Sequence, residues 1–195
     1  ADKINYLGNN TAASALKISN VVTRIGPLGE VGGVASGEIA ALGASTVGVG
    51  IEAEVAATGI KNLILGLTAG TAATKKQNAA FFALGLDAAQ VAKDMQIDAK
   101  GTILDVLTKI SQLDKAEQAA TLKQLFGKES IGAIAPLLSN LDNLKKNLDM
   151  VSKSENYSNS MEKEYQARLK TTGNSVQVMK NRLENAKIAI GNGML

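Results

Sequence analysis

The chain has 195 residues and a formal net charge of +3; hydrophobic residues make up 45%, aromatics only 3%, and there is no cysteine and no histidine. That composition excludes disulfides, thiolate or imidazole metal sites, and any nucleophile that relies on a histidine base. It favours a core of Ala, Leu, Ile and Val in closely packed helices over a sandwich or barrel, which draws on β-branched and aromatic residues.

The two prolines, Pro27 and Pro136, leave room for long helices. Residues 1–159 carry 15 basic and 15 acidic side chains, whereas residues 160–195 carry six basic and three acidic, so the excess charge belongs to one terminal segment. Charge-free runs reach only 13 residues, as from Asn62 to Thr74, and no simple bilayer-spanning helix is expected. No signal-peptide pattern is visible, and the missing initiator Met suggests processing or excision from a longer protein.

Eleven of the 19 glycines fall between Gly26 and Gly70, yet the apolar spacing there still reads as helix. Ala15, Ile18, Val22 and Ile25 predict a helix that Gly26-Pro27 ends. Ser36 is the expected N-cap of a short helix through Ala44, and Gly48 to Gly50 the expected turn. A second helix should run through Val55, Ile60, Ile64 and Leu67, weakened by Gly59 and Gly66 at about 1 kcal/mol each. Asp87 with Gln90 reads as a capping box opening a helix through Val91 and Met95. Beyond Gly101, Thr102 is expected to cap a helix with Ile103, Val106, Leu107, Ile110 and Leu113 on one face. Asp114 and Glu117 repeat the capping pattern for a helix ending at Leu125-Phe126, with Gly127 as its C′ residue. Short connections should draw these three helices into an antiparallel cluster.

The last third carries two stripes of period 3.5. Leu137, Leu141, Leu144, Leu148 and Val151 form the first; Tyr165, Leu169, Thr172, Val176, Met179, Leu183, Ala186 and Ile190 form the second. A straight helix repeats every ~3.6 residues, so a sustained 3.5 repeat marks a coiled-coil-like seam. As one helix, Glu162 to Asn192 would be about 45 Å long at ~1.5 Å per residue, too long to bury in a domain of this size. The expected fold is all-α: an Ala/Gly-rich helical region (1–74), a compact cluster of short helices (75–151), a polar linker (152–160) and a long heptad-patterned helix (161–195). The second stripe has two readings, packing against a helix of the same chain or self-association.

Chemical motifs are sparse. GPLGEVGG, from Gly26 to Gly33, lacks both the G-x-x-x-x-G-K-[ST] pattern and a preceding strand, so it reads as a turn between helices. Glu162 and Glu164, two residues apart, point to different helix faces. A helix-turn-helix reading would put Lys115, Gln118, Lys123 and Gln124 against DNA, but Asp114 and Glu117 share their helix. No catalytic, metal or cofactor-binding residue emerges, and no cofactor is expected. The interaction residues are Tyr165, Leu169, Val176, Met179, Leu183 and Ile190. A basic all-helical nucleic-acid-binding module is the alternative functional class.

Several segments in order resemble phage tail tape measure proteins: SGEIAALGASTVGVGIEAEVAATGIKNLI (Ser36 to Ile64), FALGL (Phe82 to Leu86) and the stretch from Gly101 to Lys146 with its Leu125-Phe126-Gly127 turn. Thr171 to Leu195 looks like that family's entry into a further long helix, so the resemblance covers about residues 36–195. It implies a helical, multi-copy, non-enzymatic module of a phage or prophage tail, whose length sets how many tube rings assemble. Implied partners are copies of itself, tail tube protein, tail-tip or baseplate proteins and tail assembly chaperones, with no specific nucleic acid. The implied setting is the virion tail, assembled in the bacterial cytoplasm, with host-membrane contact during genome ejection.

Overall fold

The computed structural model describes the backbone of residues 1–192, and the side chains of all of these except 172, 174, 175 and 186–192. Its elements are helical, and no strand occurs among the described residues. The Ala/Gly-rich third forms α1 (Asp2–Asn10), α2 (Ala15–Gly32), α3 (Ser36–Val47) and α4 (Ala53–Leu67). Next come α5 (Lys75–Ala83), α6 (Ala88–Ile97), α7 (Ala99–Ser111), α8 (Lys115–Phe126), α9 (Ile131–Ser139), α10 (Leu141–Ser152) and the single turn α11 (Ser154–Tyr157). Ala1–Ser158 make one unit; a second unit begins at Asn159 and contains α12 (Ser160–Leu169) and α13 (Thr172–Asn192).

The first unit is organised around α3. Ten of its twelve residues are buried, Ile39, Leu42 and Val47 among them, and a helix apolar on every side is stable only when surrounded. Helices α1, α2, α4, α9 and α10 do the surrounding. The low aromatic content is compensated by close approach: a Cβ at Gly59 of α4 would lie 2.4 Å from Ala133 Cβ of α9, and one at Gly32 would lie 2.3 Å from Ile64 Cγ2. The glycines that weaken α4 by local propensity are therefore what lets its neighbours touch it.

Four boundaries differ from expectation. Helix α2 does not stop at Gly26-Pro27 but continues to Gly32, because Gly29 and Gly32 extend the buried face of Ile18, Val21 and Ile25. Packing against α3 and α4 outweighs the roughly 3 kcal/mol that an internal proline costs. The stop comes at Gly33, left-handed at φ 69°, where Val34 N–H donates to Gly29 O (2.9 Å) and Gly33 N–H to Glu30 O (3.4 Å). That is the Schellman pattern, which a Cβ would disfavour.

At α3 the capping position is Ala35, not Ser36; the Glu38 carboxylate accepts the Ala35 N–H at 2.9 Å, and the helix continues past Ala44 to Val47. At α7 the cap is Asp98, whose Oδ1 accepts Gly101 N–H at 2.9 Å, and Thr102 instead bonds back to Asp98 O from inside the first turn. Asp87 and Asp114 cap α6 and α8, accepting from Gln90 N–H (2.8 Å) and Glu117 N–H (2.9 Å), but the Gln90 side chain bonds Asp94 rather than closing the expected capping box.

The terminal segment is two helices rather than one. At the end of α12 the N–H groups of Lys170 and Thr171 bond carbonyls three residues back, Ala167 O (3.2 Å) and Arg168 O (3.1 Å), and the Thr171 hydroxyl also reaches Arg168 O. These tight i to i−3 bonds close the helix, and the β-branched pair Thr171-Thr172 followed by Gly173 weakens any continuation. Helix α13, at 21 residues, is then about 31 Å long instead of about 45 Å.

Candidate interaction surfaces

The second unit holds all six sequence-read interaction residues on two helices. Tyr165 lies on α12 and is exposed; Leu169, near its end, is half-buried. Val176, Met179 and Leu183 lie on α13 at i, i+3 and i+7, within one arc of about 60° at ~100° per residue, and each is more than half exposed. The structure brings Leu169 and Met179 together, with Val178 and Arg182, around a shallow cavity of about 310 Å³. The side chain of Ile190 lies outside the described residues. An ion pair between Arg168 and Glu164 tightens α12. An apolar stripe therefore faces solvent on α13, and Met161, also about half exposed, adds to the apolar surface of this unit.

The first unit carries a surface that sequence reasoning missed. Between α6 and α7 a groove of about 310 Å³ has Leu86, Val91 and Val106 as its apolar lining. Ile97, 84% exposed, stands at its edge. Asp94, Asp98 and Asp105 line the wall together with Gly101 and Thr102, and no Lys or Arg is among the lining residues. Each carboxylate keeps free acceptor capacity: Asp98 caps α7, Asp94 accepts from Gln90 Nε2 at 2.8 Å, and Asp105 lies 3.9 Å from Lys109 Nζ. Among the described residues no group of three or more acidic, His or Cys side chains is arranged to hold a metal ion, these three included. The sequence held one signal for this surface. Val91 and Met95 define the buried face of α6, and Ile97, two residues on, is rotated about 200° from Met95. Phe82, also 84% exposed beside the buried Phe81, follows the same logic on α5.

The residues read as a DNA-facing set are not jointly available. Gln118 is buried and donates from Nε2 to Ser111 O (2.9 Å) and Leu113 O (2.8 Å), holding the α7–α8 turn. Its Oε1 accepts from Lys115 at 3.3 Å. Two of the four side chains are thus engaged with the chain itself. Among the described residues no helix is long and apolar enough to cross a membrane.

Comparison with known proteins gives a consistent pattern. The sequence profile of a family described as phage-related minor tail protein matches residues 1–127. Over all 195 residues the chain is 38% identical to a probable tape measure protein of Halomonas phage phiHAP-1. It spans 23% of that protein's length. No solved structure matches.

Proposed function

The chain belongs to the phage-related minor tail protein family, and we propose that it is a helical module of a tape measure protein, the ruler that sets tail length and supports tail assembly and genome delivery. The observation that carries this reading is the 38% identity, over all 195 residues of the chain, to a probable tape measure protein. The module acts by contact, not catalysis. Its second unit, through Tyr165, Leu169, Val176, Met179 and Leu183, associates with further copies, since all of these but the half-buried Leu169 are more than half exposed. Ile190 continues the same spacing in sequence. Tube, tail-tip and baseplate proteins and assembly chaperones are the further partners in a virion tail built in the host cytoplasm, with host-membrane contact at ejection.

The ruler role has a direct genetic test. Inserting three extra copies of residues 172–192, in frame, into the full-length protein of the phage should lengthen the tail by about 95 Å at ~1.5 Å per residue. Tails of unchanged length in electron micrographs would refute it.

A further inference from the structure

We infer that the apolar stripe of α13 docks in the α6–α7 groove of a second copy of this chain, a head-to-tail contact between unlike surfaces. The inference rests on the self-association reading above and names the surface that the stripe meets. Two observations carry it. First, the groove is apolar within and carboxylate-walled, with Asp94, Asp98 and Asp105 and no lining cation, and Ile97 is left 84% exposed at its edge. Its volume of about 310 Å³ is at the bottom of the ~300–1,000 Å³ usual for small-molecule sites. A row of two or three apolar side chains, with an isoleucine packing alongside, suits it better than a buried ligand.

Second, α13 has the complementary face. Val176, Met179 and Leu183 form the apolar arc; Lys180 lies just beyond Val176 on one edge and Arg182 just before Met179 on the other. One acidic residue, Glu184, lies beyond Lys180. The segment 160–195 carries six basic and three acidic residues, the whole of the chain's net excess. Opposite charges flanking an apolar strip fix orientation and speed encounter, while the apolar side chains supply the affinity.

A pairing of two α13 stripes would instead face cations with cations. Contacts between unlike surfaces do not close on a two-fold axis; they close into rings of three or more copies or run on as filaments.

The absence of native cysteine makes the test clean. Two singly substituted chains, Ile97→Cys and Met179→Cys, are prepared separately, checked for wild-type circular dichroism, mixed and mildly oxidised. The inference expects the mixed disulfide dimer to dominate over either homodimer. Raising salt from about 0.1 M to about 1 M shortens the screening length from about 10 Å to about 3 Å and should cut that yield several-fold. Asp94→Lys with Asp105→Lys should abolish the mixed product, and Lys180→Glu with Arg182→Glu on the other chain should restore it. Predominance of the Met179→Cys homodimer would overturn the groove as the partner while leaving self-association intact. No intermolecular product, together with a monomeric wild type, would overturn both. An intrachain disulfide in the doubly substituted chain, with none between mixed chains, would overturn the second copy as occupant.

Discussion

Two stripes with the same spacing meet opposite fates. Leu144, Leu148 and Val151 on α10 are at most 2% exposed, sealed against the rest of the first unit, and Leu137, expected on the same helix, lies on α9 across a break at Asn140. Val176, Met179 and Leu183 stand 52–66% exposed. The residue types are alike and so is the period. What separates them is what lies opposite: α10 faces α3, a helix of small residues that accepts a row of leucines, and it adds a buried hydrogen bond from Asn147 Nδ2 to Ser45 Oγ at 2.9 Å. The same 3.5 repeat thus occurs on a covered face and on an exposed one.

The comparison breaks most sharply under truncation. Leu144→Ala opens a cavity where α10 meets the core, and it should cost about 2–5 kcal/mol in urea unfolding. Leu183→Ala on the other stripe should change the stability of an isolated chain by under about 0.5 kcal/mol. Equal losses would mean that both stripes are core. Next in size is Gly59→Leu, which forces α4 and α9 apart where a Cβ would lie 2.4 Å from Ala133, at a cost of about 1–3 kcal/mol. A neutral outcome would show that the close approach is dispensable.

The buried polar pair gives a subtler effect. Ser45→Ala removes the acceptor of the Asn147 amide, whose Oδ1 is already without a partner, and should cost about 1–3 kcal/mol. Ser45→Ala combined with Asn147→Leu removes both groups and should recover most of that loss; a double variant as unstable as the single would argue against the mechanism. Smallest of all, Arg24→Ala breaks the 2.7 Å pair with Glu54 that ties α2 to α4, yet both partners are largely exposed. Its expected cost is under about 1 kcal/mol, and thermal melts should barely move.

The helical class, the caps at Asp87 and Asp114 and the covered face of α7 were legible because each depends on residues within a few positions of one another. The continuation of α2 through Pro27 was not, since a local rule weighs the proline and not the faces of α3 and α4 that hold Gly29 and Gly32. The value of Gly59 was likewise invisible: its propensity cost is local, whereas Ala133 is more than seventy residues away. The exposed stripe was legible as a list of residues but not as a continuous seam, because the closure of α12 at Thr171 rests on hydrogen bonds that spacing alone does not encode. The α6–α7 groove was legible only in part, through the misplaced angle of Ile97; the three carboxylates converge from two helices and the turn between them.

The exposed stripe as a surface for contact between copies is open to direct test. Sedimentation velocity of the 195-residue chain beside Leu169→Asp with Leu183→Asp tests it most directly. The account predicts a concentration-dependent multimer for the wild type and a monomer of unchanged helix content for the double variant. A wild type that stays monomeric at every concentration, or a double variant that sediments as the wild type does, would contradict it.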